Sequence, residues 1–192
     1  MKIAIIAGHG GSDPGAVDPK EKDQDDEIYE DVLYSEESDI VLKASKILRP
    51  ILENNGHEVI MVRKNDKYMS LKEKATVANN NEVGIAISIH ANAAANTQAE
   101  GIETLYYPTS EKGKSLADNI QKKLIRASKA RDRGIKPRDN LYILKHTAMP
   151  TVLLELGFLT NNREEHLLNQ KEYLYLLVQA VAEGIEDYKG AL

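Results

Sequence analysis

The sequence predicts an α/β fold: a three-layer domain in which a twisted, mixed β-sheet is flanked by helices. Two observations carry this. Short apolar runs rich in Ile and Val alternate with segments whose apolar residues recur every three or four positions, and they do so along the whole chain. The 192 residues, 42% of them apolar, are enough for one domain with a continuous core.

The elements follow in order. Residues 2–7 (KIAIIA) read as a buried strand closed by glycines. Residues 10–35 hold Pro14, Pro19 and an acidic run, and read as loop. From Glu37 to Asn54, the spacing of Ile40, Val41, Ala44, Ile47, Leu48, Ile51 and Leu52 predicts a helix, with Ser35 or Ser38 as its cap and Asn55-Gly56 as its end. Residues 57–62 (HEVIMV) form the next strand, opened by an edge His57. Residues 70–79 form a short helix in which Ser70 and Glu73 have capping-box spacing. Strands are expected at 83–90 and 102–107, then a helix at 110–128 with Leu116, Ile120, Leu124 and Ile125 on one face. Short strands at 141–144 and 151–154 precede helices at 161–169 and 171–188, the first with an exposed His166. There is no internal repeat and no linker, so residues 1–192 are expected to be a single domain.

Composition excludes several classes of function. With no cysteine, disulfides, thiolate metal sites and cysteine nucleophiles are ruled out, and a metal site would have to use His, Asp or Glu. Residues 21–39 hold ten acids and one lysine, a net −9 against −5 for the chain, so the remainder carries +4. A charge that dispersed is not the concentrated basic face of a nucleic-acid binder. No apolar run approaches the length of a membrane span. The start MKIAIIAGHGG is too short in its apolar part for a signal peptide and reads as the first strand: either the mature chain begins here, or a signal was trimmed, or export uses another route. Gly8-His9-Gly10 lacks the third glycine of a dinucleotide loop, and 23–27 lacks the glycine of a calcium loop. Ser70 and Ser88 have no plausible His-Asp partners.

Polar residues stand where buried strands give way to loops. His9 follows KIAIIA and a glycine, His90 closes VGIAISI, Glu155 closes TVLL, and Glu36 and Glu37 head the long helix. Ligands collect at such positions in open α/β sheets. Two histidines and a glutamate make a catalytic zinc set with one coordination position left for water, and a further carboxylate can serve as general base. The glycines around His9, and Ala91 and Ala93 to Ala95 after His90, leave room for an extended substrate.

These segments resemble the zinc-dependent N-acetylmuramoyl-L-alanine amidases of bacterial autolysins and phage endolysins. The likeness runs through IAIIAGHGGSDPGA, RKNDKYMSLKEKATVAN, ISIHAN, GIETLYY, DRGIK, LYIL, MPTVLLELGFLTN and AVAEGI, in that order and over nearly the whole chain. It implies one zinc ion held by His9, His90 and the glutamate that heads the first long helix. Counting back from Gly56 makes that glutamate Glu37, in the sequence Glu37-Ser38-Asp39-Ile40, with Glu36 the alternative. It implies Glu155 as the catalytic carboxylate, peptidoglycan as substrate, and hydrolysis of the amide between the lactyl group of N-acetylmuramic acid and L-alanine of the stem peptide. Asn92 and His146 are further substrate-binding candidates. Residues 19–35 form a longer, more acidic insertion than the family suggests, and Lys74 replaces a usual arginine, with a structural ion pair the expected casualty. An enzyme acting at the cell wall, outside the membrane and as a monomer, is expected. A zinc exopeptidase-like hydrolase of free peptides, or a non-catalytic peptidoglycan-binding module, are the competing readings.

Overall fold

The structure, a computed structural model, describes residues 1–17 and 35–191. The acidic insertion therefore lies, apart from Ser35, outside the described residues. The elements are β1 (Lys2–Ala7), α1 (Glu37–Asn54), β2 (Glu58–Met61), α2 (Leu71–Asn80), β3 (Ile85–Asn92), β4 (Ile102–Tyr106), α3 (Glu111–Ser128), β5 (Asp132–Pro137), α4 (Tyr142–His146), β6 (Thr151–Phe158), α5 (Asn162–Asn169) and α6 (Lys171–Gly190).

The strands form one six-stranded sheet in the order β2-β1-β3-β6-β4-β5. Strands β2, β1, β3 and β6 run parallel, β4 is antiparallel to β6, and β5 is parallel to β4. Side chains alternate across the sheet, which makes the three layers. Ile3, Ile5, Ile85, Ile87 and Ile89 pack with Leu48 of α1, Ile120 of α3 and Val181 of α6. On the other face, Ala4, Ile6 and Ala86 lie under Ala75 and Ala78 of α2 and Ile143 of α4. The mixed-sheet, three-layer expectation is met. So are the capping box at Ser70 and Glu73 and the stop at Asn55-Gly56, where Gly56 has φ +81°.

Several local readings are corrected. Residues 141–144 are not a strand, because α4 occupies Tyr142–His146. A run of four apolar residues is too short for periodicity to decide. A helical turn sends Ile143 into the cluster under α2 and Leu144 onto Leu105 and Leu153. Strand β5 was not anticipated, since DRGIKP has one apolar residue other than proline, a glycine and a proline; it is an edge strand, where proline is tolerated. Strand β6 continues to Phe158 and β3 to Asn92, so Glu155 and His90 lie within strands, not after them. The ladder persists because His90 pairs with Glu155 and Asn92 with Phe158 across a register shift. His57, at the sheet edge as expected, is nevertheless buried, between the Met1 amino group at 3.2 Å and Glu186. His166 is half-buried and engaged, not exposed.

Helices α3 and α6 meet at Gly184, where a Cβ would stand 2.6 Å from the Ile120 Cα. Overpacking of this kind costs about 1–3 kcal/mol, against about 1 kcal/mol gained in helix propensity on replacing glycine by alanine. Gly184→Ala is therefore expected to lower unfolding stability by about 1 kcal/mol in urea titration, and a gain in stability would refute this packing.

Candidate metal centre and active site

The chain leaves β1 to build β2 on one side and β3 on the other, so the crevice at the carboxyl ends of β1 and β3 is a topological switch point. His9 lies two residues beyond β1, and His90 lies near the end of β3. Gly8 is pressed against His90, for a Cβ there would meet the imidazole Cε1 at 2.5 Å. Gly15, at φ +72°, similarly leaves no space between its backbone and the Glu37 carboxylate and His9 ring. These two contacts are why the turn is built from glycine.

The amino end of α1 is closed by backbone. The N–H groups of Glu37 and Ser38 donate to the carbonyls of Ala16 and Pro14, both at 2.9 Å. Neither Ser35 nor Ser38 caps: Glu36 holds the cap position without a side-chain bond, and the Ser35 hydroxyl donates to Glu165. The turn is thereby docked on the helix that carries Glu37.

Glu37, not Glu36, stands between the imidazoles. Its Oε2 lies 3.1 Å from His9 Nε2, and its Oε1 lies 2.9 Å from His90 Nδ1. The same oxygens accept backbone N–H bonds from Ala16 at 2.9 Å and Ala91 at 3.1 Å. The rings meet edge-on, centroids 5.2 Å apart. One donor atom from each of His9, Glu37 and His90 lies within 4.8 Å of the others, a group that could hold a metal ion.

The surroundings orient this group. Both Asp13 carboxylate oxygens lie 2.9 Å from His9 Nδ1, which turns Nε2 towards Glu37. His9 has φ +49°, a region uncommon outside glycine. Lys74 Nζ donates to the carbonyls of Ala7 (3.1 Å) and His9 (2.8 Å), and Arg63 Nη2 donates to those of Gly8 (2.7 Å) and Ser38 (2.6 Å). Two buried cations thus hold the strained turn by its carbonyls. Lys74 serves the backbone, which corrects its reading as an ion-pair residue. Burial, with Arg63 nearby, lowers its pKa to about 8.

Charge is finely opposed here. Burial works against ionising Glu37, but His9 and His90 outweigh it and hold the carboxyl far below the usual carboxylate range. Burial would lower His9, yet Glu37 and then Asp13 raise it. Glu155 differs. It is the register partner of His90, and its Oε2 is buried with no hydrogen-bond partner. Burial, then the charges of Glu37 and Glu103, push its carboxyl well above the ordinary value.

The two substrate candidates are engaged locally. The Asn92 side chain accepts the Ala93 N–H at 2.9 Å, a turn-forming bond. His146 is exposed on α4 and stacks on Tyr142, centroids 4.1 Å apart. A cavity of about 170 Å³ opens beside His9 and His90, walled by Tyr68, Met69, Leu71 and Ile143, and His146 is not among its lining residues. A larger recess of about 460 Å³ lies at the far end of β6, near Ser110 and Thr151. Sequence reasoning missed Asp13, Arg63 and the anchoring role of Lys74. An acid four residues after a candidate ligand was the available signal for Asp13; nothing local marks Arg63.

Comparison with known proteins gives the family. The profile of the family described as N-acetylmuramoyl-L-alanine amidase matches residues 3–187. The uncharacterized protein YqiI of Bacillus subtilis is 33% identical over 97% of this chain and 84% of its own length. The probable cell wall amidase LytH of Staphylococcus saprophyticus is 30% identical over 97% of this chain but 57% of its own, so the chain spans little more than half of that relative. The crystal structure of an N-acetylmuramoyl-L-alanine amidase from Clostridium difficile superposes with a TM-score of 0.88, at 32% identity, covering 99% of this chain and 97% of the other. The chain belongs to the N-acetylmuramoyl-L-alanine amidase family.

Proposed function

We propose that the chain is a zinc-dependent hydrolase that cleaves the amide joining the lactyl group of N-acetylmuramic acid to L-alanine of the stem peptide. The observation that carries this is Glu155, whose carboxyl has one buried oxygen without a partner, paired in register with one histidine of a His-Glu-His group. A buried carboxyl oxygen left without a partner calls for one supplied by the reaction. The donor set suits zinc: two imidazoles and one carboxylate, with a carboxylate on the remote nitrogen of His9.

His9 Nε2, His90 Nδ1 and a Glu37 oxygen would hold the ion. When bound, zinc supplies Lewis acidity, acidifying water and polarising an amide carbonyl. Glu155 takes a proton from the attacking water and delivers it to the departing nitrogen of L-alanine. Its raised pKa suits a group that must hold a proton between those two events, and the Glu37 repulsion is the part that a cation on the cluster would offset. The cavity of about 170 Å³ beside Tyr68 adjoins both imidazoles and offers a place for the part of the substrate next to the scissile amide. Action on the cell wall, outside the membrane, follows from this substrate; among the described residues no helix is long and apolar enough to cross a membrane.

Incubation with purified sacculi is expected to release stem peptides with a free L-alanine amino group. Cleavage of small free peptides, with sacculi left intact, would favour the exopeptidase reading. Glu155→Gln is expected to retain zinc and lose activity by about 10²–10⁴-fold; near-normal turnover would refute the role given to it. Zinc retained after dialysis is expected to fall sharply in His9→Ala, His90→Ala and Glu37→Gln, and to be unchanged in Glu36→Gln. Asp13→Ala is expected to weaken zinc affinity by about 10–100-fold in competition with a chelating dye, and an unchanged affinity would deny its orienting role.

A further inference from the structure

Beyond Glu155 the sheet carries a second charged group that the reaction above does not use. Glu103 on β4 stands directly opposite Glu155 in the antiparallel register. Its buried side chain receives Arg133 Nε at 3.0 Å and Lys136 Nζ, both on Oε2 and both from edge strand β5. Arg133 is also fixed by Phe158 of β6, its Cζ 4.9 Å from the ring centroid, and by the Glu100 carbonyl at 3.2 Å. Two cations against one carboxylate leave a net positive charge. The cations are not sealed in: their side chains are 27% and 33% exposed, against 7% for Glu103. Glu103 thus acts as a buried post that holds two cationic groups at the surface beside the reacting carboxyl.

We infer that Arg133 and Lys136 form a carboxylate-binding subsite that selects stem peptides carrying a free acid on their second residue. The inference rests on the amidase reading and concerns the peptide side of that same site. Directly opposite cross-strand Cβ atoms are about 4.5–5.5 Å apart, so cations touching Glu103 lie about one side-chain length from Glu155. An extended peptide advances about 3.3–3.6 Å per residue, so a carboxylate two residues along from the scissile amide falls at that range. The opposite flank has the complementary character. Around the cavity beside His9, Tyr68, Met69, Leu71 and Ile143 are uncharged, the Asp13 carboxylate is engaged by the His9 ring, and the ammonium of Lys74 is held by two backbone carbonyls. The flank with exposed cations therefore suits the peptide, and the flank whose charges are internally paired suits the sugar. Arg133 and Lys136 are specificity residues here; they do not touch the reacting atoms.

The test compares two muramyl peptides that differ only in whether the second stem residue carries a free carboxylate or its amide. The holoenzyme is expected to favour the free acid by about tenfold in kcat/KM, the scale of one hydrogen-bonded charge. That ratio is expected to approach one in Lys136→Gln and in Arg133→Gln, to survive in Lys136→Arg, and to invert in Lys136→Glu, with zinc content confirming that each variant is folded. A wild-type enzyme indifferent to the amidation, or a ratio unmoved in both glutamine variants, overturns the subsite. Failure of the wild type to cut either peptide strikes instead at the amidase reading on which the subsite rests.

Discussion

The site depends on one carboxylate being held between two imidazoles, one in the turn just beyond β1 and one within β3. Glu37 is almost fully buried, and an ionised carboxylate there without partners would be prohibitively costly. It is ionised because four groups meet its two oxygens: the backbone N–H groups of Ala16 and Ala91, and the rings of His9 and His90. Those four groups come in two pairs, His9 with Ala16 and His90 with Ala91, and Glu37 joins the pairs from a third part of the fold. Ala16 belongs to the glycine-rich turn, Ala91 and His90 to β3, and Glu37 to the first turn of α1. The carboxylate therefore acts as a clasp between sheet and helix as well as a donor for an ion. Removing the charge while leaving the fold would leave two imidazoles facing one another without an acceptor.

The turn that delivers His9 illustrates how function sets local structure. A histidine at positive φ is strained, and strain at a site persists only when its surroundings over-determine it. Here they do. Lys74 and Arg63 hold the carbonyls of residues 7, 8 and 9, Asp13 holds the ring, and the N–H groups of α1 hold the carbonyls of residues 14 and 16. Lysine or arginine can each donate to carbonyls, which is why a lysine is compatible with this position.

Much of the fold was legible because the parallel strands are buried on both faces and read as continuous apolar runs, while α1, α3 and α6 each show an apolar stripe. What was not legible was local and had physical causes. Strand β5 is stabilised by pairing with β4 at the sheet edge and by ion pairs to Glu103, neither of which leaves an apolar pattern. The sequence 141–144 is apolar but short, so tertiary packing decided its conformation. At the site, His9, Glu37, His90 and Glu155 were visible as polar residues at the ends of apolar runs. The groups that orient them were not, because Asp13 sits in a turn and Arg63 acts over a sequence distance of more than fifty residues.

The central claim is that residues far apart in the chain converge on a single ion. X-ray absorption spectroscopy of the zinc-loaded protein tests it directly. The account predicts a first shell with two imidazole nitrogens and the remaining donors oxygen, reduced to one imidazole in His9→Ala. A shell of oxygen alone, or one unchanged by that substitution, would contradict it.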